Sequence, residues 1–117
     1  MPDYQAFLDS RRNRPLAPVP LVPPVPMDSL RTPTLFLDEA VFEANLEHMQ
    51  HSLGEAGLGL RCHTKTHKCP EIARRQMAAG AVGVCCAKVG EAEVMVDSGI
   101  DDVLITSPVA SVDAAAR

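Results

Sequence analysis

Aromatic side chains are almost missing from this chain: no tryptophan, one tyrosine and three phenylalanines, 3% of 117 residues. Flat surfaces on which nucleic-acid bases could stack are therefore scarce. An excess of positive charge is missing too, since 11 Lys and Arg stand against 15 Asp and Glu, a formal charge of −4. A phosphate backbone needs a basic surface, which this composition does not offer. No apolar run approaches the ~20 residues that cross a bilayer. Met1 to Arg14 lacks the continuous apolar core of a secretory signal and carries Asp3 and Asp9. The expectation is a cytoplasmic protein with no nucleic-acid partner and no membrane partner. In a reducing compartment Cys62, Cys69, Cys85 and Cys86 are expected as free thiols. The adjacent Cys85 and Cys86 would also point to opposite faces of a strand, which argues against their pairing.

What is abundant is proline, and it is concentrated near the N-terminus. Residues 14–26 read RPLAPVPLVPPVP. Proline fixes φ and removes the amide donor, so this stretch is expected to be extended and polyproline-like. Pro15 to Pro18 and Pro20 to Pro23 each fit a PxxP pattern that SH3 or WW domains bind. In a stretch this rich in proline such matches arise almost of necessity, so the plainer reading is an arm over residues 1–31.

From Thr32 the chain alternates. Pro33 to Leu37 reads as a short apolar strand, and Asp38 can cap a helix whose stripe is Phe42, Leu46, Met49 and Leu53. Gly54 and Gly57 stop that helix, and Leu58 to Lys65 reads as the next strand. Pro70 suits a first helical position, with Ile72, Ala73 and Met77 facing inward and Gly80 closing the helix. Ala81 to Ala87 is the apolar run of a strand buried on both faces. A helix over Glu91 to Ser98 closed by Gly99, the strand Val103 to Thr106 and a helix start at Ser111 complete the pattern. Such alternation implies parallel strands joined by crossover helices, in a β/α barrel or a doubly wound sheet. A barrel needs eight strands and ~250 residues. About three units are present here, so the chain looks like part of a longer protein.

The chemistry is concentrated on the strand Leu58 to Lys65. Alternation puts Arg61, His63 and Lys65 on one face, with Lys65 at the C-terminal end where α/β folds place their reactive groups. A nearby cation such as Arg61 would depress the lysine pKa and favour attack on a carbonyl. Spacing alone leaves a solvated or phosphate-facing basic strand end open.

The segment RCHTKTHKCPEIARRQMAAGAVGVCCAKVGEAEVMVDSGIDDVLIT, residues 61–106, resembles the D-threonine aldolase and D-serine dehydratase family, which includes 3-hydroxy-D-aspartate aldolases. Three motifs carry the resemblance over residues 32–107. They are Thr32-Pro33-Thr34-Leu35-Phe36-Leu37-Asp38 with Asn45, then His63-Thr64-Lys65-Thr66-His67-Lys68, then Gly83-Val84 leading to Lys88 and Glu91-Ala92-Glu93. Cys62 stands where the family usually has proline. The resemblance implies an α/β fold, part of the (β/α)8 TIM-type barrel of fold-type III pyridoxal-phosphate enzymes, over residues 32–117. It also implies a lyase acting on D-3-hydroxy amino acids, either aldolase or dehydratase, with Lys65 forming the internal aldimine. The expected cofactor-contacting residues are Lys65, His63 and Lys88. A divalent metal near the substrate hydroxyl would be held by residues beyond this chain, and the full-length protein would be a homodimer.

Other readings of the same residues exist. A racemase of the same fold would share Lys65 but lack the segment around Cys85, Cys86 and Lys88. A non-catalytic remnant or interaction module would use the PxxP arm and leave Lys65 idle. Cys62, His63, His67 and Cys69 resemble a zinc site in composition, but Cys62 and His63 would face opposite ways on a strand and no second ligand pair follows. Glu91 and Glu93 suit the first turns of a helix, where acids meet its dipole. His48 and His51 fall on a solvated helix side.

Overall fold

The computed structural model describes residues 25–117, and the chain divides into two units, Met1–Glu39 and Ala40–Arg117. Both PxxP matches and the Met1 to Arg14 segment lie outside the described residues. In the first unit a 3-10 turn spans Met27–Ser29, where Ser29 donates to the Pro26 carbonyl from both its amide and its hydroxyl. The strand expected over Pro33 to Leu37 is not formed, and Leu35, Phe36 and Leu37 are exposed. An apolar run becomes a strand only where a neighbour supplies ladder partners. None of the three described strands pairs with it.

In the second unit helices and strands follow in the expected order. Helix α1 (Glu39–Glu55) starts directly after Asp38 and has no fully buried residue. Phe42, Leu46 and Leu53 are half-buried, but Met49 is exposed and Gln50 takes its place on the inner line. Helix α2 (Pro70–Ala78) has proline in its first turn, where a missing amide leaves nothing unsatisfied, and helix α3 (Val89–Asp97) follows. Arg75 of α2 reaches Glu43 of α1 at 2.6 Å.

The three helices end alike. After α1 the Leu58 amide donates to Leu53 O and the Gly57 amide to Gly54 O. After α2 the same pair of bonds is Ala81 to Gln76 and Gly80 to Met77, and after α3 it is Ile100 to Met95 and Gly99 to Val96. This is the Schellman closure, and its penultimate position needs a left-handed backbone. Gly57, Gly80 and Gly99 supply it with φ of 67°, 110° and 83°. The residue after each glycine then starts the approach to the sheet.

The sheet consists of β1 (Arg61–His63), β2 (Gly83–Cys86) and β3 (Val103–Ile105), all parallel, in the order β1-β2-β3. Arg61 pairs with Gly83 and His63 with Cys85, while Val84 pairs with Val103 and Cys86 with Ile105. Sequential strands are thus sequential neighbours, each joined to the next through one helix, with no reversal of order. The fold is α/β, and the described residues contain three parallel strands rather than a closed barrel. All four residues of β2 are buried, as its apolar run requires.

Alternation along the strands separates two faces. Val84 and Cys86 are fully buried beneath Ala73 of α2, Ala92 and Met95 of α3, and Ile100, with Met77, Val103 and Ile105 packed at the margin. The opposite face carries Arg61, His63, Cys85 and Leu104, which the register sets side by side. Leu104 is half exposed there. All four cysteines are free. The short helix α4 (Val112–Ala115) is capped by Ser111, whose Oγ accepts the Ala114 amide at 3.1 Å.

Candidate functional site

Strand β1 is shorter than the Leu58 to Lys65 expected, and it is half-buried rather than covered on both faces. It stops at His63, and a 3-10 turn, Thr64–Thr66, carries Lys65. Two side chains bring the ladder to an end. Thr64, fully buried, donates from Oγ1 to the Cys85 carbonyl at 3.0 Å and lies 3.2 Å from Cys86 Sγ. The Lys65 amide donates to His63 Nδ1 at 3.2 Å. Side chain to backbone bonds of this kind compete with sheet pairing. Lys65 therefore leaves the strand face it would share with Arg61 and His63, and projects from the turn beyond the C-terminal end of β1. Its side chain is exposed, and its amine has no hydrogen-bond or ion-pair partner among the described residues.

His63 is committed at both ring nitrogens. Nδ1 takes the Lys65 amide, and Nε2 lies 3.2 Å from Thr106 Oγ1 just past β3. Only the faces of the ring remain free to border a ligand. Thr106 was visible in the sequence as the end of the VLIT strand, but nothing in its type marks it as a partner of His63.

Arg61 is not placed to tune Lys65. It lies at the opposite end of β1 and crosses over Gly83 to Asp102, with Nη1 2.7 Å from Oδ1 and Nη2 3.1 Å from Oδ2. This two-pronged geometry matches a planar guanidinium to a carboxylate. The bond from Asp102 raises the Arg61 pKa and holds the Asp102 carboxyl below its usual range.

Lys88 stands at the N-cap of α3, at the end of β2. It lines a cavity of about 380 Å³ with Thr64, Lys68, Gly90, Glu91, Val94 and Met95; Lys65 does not line it. The three candidate residues thus gather at the C-terminal edge of the sheet, but only Lys65 and His63 are in contact. Lys68, with a left-handed φ of 51°, reaches Glu91 at 3.4 Å. Glu91 Oε2 accepts the Ala87 amide at 3.0 Å, one residue before the N-cap Lys88, and so ties the loop to the first turn of α3. That amide, more than Lys68, holds the Glu91 carboxyl below its usual range. The dipole reading of Glu91 found its helix position but not its bond to the preceding loop.

A pH dependence follows from this bond. A carboxyl lowered in the folded state adds stability that is present above its unfolded value, near 4.5, and disappears as pH falls through the lowered folded value. Glu71, bonded to Arg74 and Arg75, and Asp102 contribute with the same sign. Glu91→Gln is expected to flatten part of the fall in thermal midpoint below about pH 4.5. A variant profile that parallels the original throughout the acid range would show that Glu91 is not a contributor.

His67 closes the 3-10 turn through its amide, which donates to Thr64 O, and its Nδ1 accepts the Cys69 amide at 3.0 Å. Burial pushes its pKa down. Among the described residues, no three His, Cys, Asp or Glu side chains are grouped so as to hold a metal ion. No described helix is long and apolar enough to cross a membrane.

No protein-family model matches this chain. Individual proteins do. A D-threonine aldolase of Arthrobacter sp. is 50% identical over 92 residues, which are 79% of this chain and 24% of that protein. A 3-hydroxy-D-aspartate aldolase of Paracoccus denitrificans is 38% identical over 103 residues, 85% of this chain and 27% of that protein. Less similar relatives are named D-threo-3-hydroxyaspartate dehydratase and D-serine dehydratase. The crystal structure of a D-threonine aldolase from Filomicrobium marinum superposes with a TM-score of 0.69 at 56% identity, over 70% of this chain and 22% of that one. This chain therefore spans about a quarter of the length of the relatives it matches.

Proposed function

We propose, for a chain that belongs to the D-threonine aldolase and D-serine dehydratase family, that Lys65 holds pyridoxal phosphate in a lyase acting on D-3-hydroxy amino acids. The observation that carries the reading is the uncommitted Lys65 amine on a turn leaving the C-terminal end of a parallel strand. The donor set fits the cofactor: its aldehyde needs a free primary amine, and its phosphate needs cationic neighbours.

Bound at this position, the cofactor supplies an electron sink for the pair released when a bond to the substrate Cα breaks. The chain's own residues do the rest of what can be assigned. Lys65 Nζ would hold the cofactor through its aldehyde, and as a free amine it could hold a proton. His63 fixes the backbone of the Lys65 turn through Nδ1. Lys88 borders the cavity at the end of β2, where its ammonium favours an anionic group. The divalent metal implied by the resemblance finds no ligand set among the described residues, and no step is assigned to it.

Two reactions share this start. Cleavage of Cα–Cβ in a 3-hydroxy amino acid gives an aldehyde and the shortened amino acid; loss of the α-proton and β-hydroxyl gives an oxo acid and ammonia after hydrolysis. The aldolase reading is favoured, because the D-threonine aldolases match at 50% and 56% identity and the two dehydratases at 36%.

The test is chemical trapping. The protein carrying this sequence is incubated with pyridoxal phosphate, reduced with borohydride and digested, and the labelled peptide is sequenced by mass spectrometry. The expected label is a phosphopyridoxyl group on Lys65. A label confined to Lys68 or Lys88 would overturn the assignment.

A further inference from the structure

The turn that carries Lys65 is linked to β3 by three hydrogen bonds that together admit one arrangement of protons. The Lys65 amide donates to His63 Nδ1 at 3.2 Å, so Nδ1 must carry a lone pair. In a neutral ring the hydrogen then sits on Nε2. Nε2 faces Thr106 Oγ1 at 3.2 Å, and Thr106 Oγ1 also lies 3.2 Å from the Cys86 carbonyl. A carbonyl can only accept, so the single hydroxyl hydrogen goes to Cys86 O and Oγ1 receives the His63 hydrogen. The chain of donors therefore runs Lys65 N–H to His63, His63 Nε2–H to Thr106, and Thr106 O–H to Cys86 at the end of the central strand. The other tautomer would set Nδ1–H against the Lys65 amide and would draw the Thr106 hydroxyl hydrogen away from the Cys86 carbonyl to Nε2.

We propose that Thr106 is a positioning residue that selects the Nε2–H tautomer of His63 and so fixes the turn from which Lys65 projects. Its link to the reaction rests on the cofactor-holding role of Lys65. The device joins the C-terminal ends of all three strands: β1 through His63, β2 through the Cys86 carbonyl and β3 through Thr106 itself. Thr106 is exposed, which makes its replacement tolerable to the fold.

Two variants separate the hydroxyl from the shape of the side chain. Thr106→Val keeps the volume and removes the acceptor; Thr106→Ser keeps the hydroxyl. The first readout is the His63 tautomer in long-range 1H–15N spectra of the 15N-labelled protein carrying this sequence. The second is the initial rate of pyridoxal-phosphate trapping on Lys65 below saturation. The Nε2–H form is expected in the unaltered protein and in Thr106→Ser. Thr106→Val should show mixed tautomers, a displaced Lys65 amide resonance and trapping slower by about threefold to tenfold, the scale of one lost hydrogen bond. An Nδ1–H ring in the unaltered protein would overturn the proposal, as would unchanged tautomer and trapping in Thr106→Val. If Lys65 takes no label in any form while the tautomers behave as expected, the reading of Lys65 fails and the Thr106–His63 link stands.

Discussion

Lys65→Ala in the protein carrying this sequence is expected to remove turnover of D-3-hydroxy amino acids by roughly 10⁴-fold or more, the scale of deleting a covalent group. It should also remove the visible absorption of the bound cofactor. Lys65→Arg is expected to fail equally, since a guanidinium keeps the charge but is not a primary amine that condenses with an aldehyde. Thermal stability of the cofactor-free protein should stay within ~0.5 kcal/mol in both, because the Lys65 side chain is exposed and its amine has no partner among the described residues. Assays are steady-state turnover, absorption spectra and thermal unfolding. Retained turnover in Lys65→Ala would remove Lys65 from the mechanism. Activity kept by Lys65→Arg alone would reduce its role to charge.

The reach of the sequence can be judged element by element. Gly57, Gly80 and Gly99 marked the helix ends because a Schellman closure imposes a local backbone demand that glycine meets best, and local demands are written in single residues. The buried run Gly83–Cys86 was legible because a strand covered on both faces leaves no room for polar residues. Pro33 to Leu37 was misread because strand formation depends on a neighbour, and no composition of five residues states whether one is there. The β1 boundary was missed for a related reason. Thr64 and His63 are ordinary strand residues until their side chains take backbone partners, and those partners lie on β2 or two residues on.

The site divides along the same line. Lys65 was singled out through the motif and through its place at the end of a strand, both properties of the chain order. The position of Lys88 at the start of α3 was also readable, since the helix pattern that follows it is local. Arg61 was given the wrong neighbour: alternation placed it on the Lys65 face, yet its charge is taken up by Asp102, 41 residues later. Thr106 lies 43 residues from His63, and only the parallel register brings the two together. Pairings across crossovers are set by the sheet, so the sequence names the candidates without naming their partners.

Gly83→Ala is expected to destabilise the second unit by about 3 kcal/mol, at the upper end of ordinary overpacking. Gly83 is buried in the central strand, opposite Arg61 in the register. A Cβ built there would lie 2.6 Å from Arg61 Cζ and 2.8 Å from the Asp102 backbone carbonyl, and would overlap Arg61 Nη1. The glycine is thus the gap through which the guanidinium passes over β2 to its carboxylate on the far side. The two obstacles differ in kind. A guanidinium on a flexible stem can swing away at the cost of its ion pair, whereas a carbonyl leading into β3 moves only with the strand. Arg61→Ala should therefore recover part of the loss in a Gly83→Ala background while costing less by itself than Gly83→Ala does, its ion pair being open to solvent on the Asp102 side. Urea unfolding midpoints of the two single variants and the double variant measure this coupling. Losses that simply add would show that the guanidinium does not cross over Gly83.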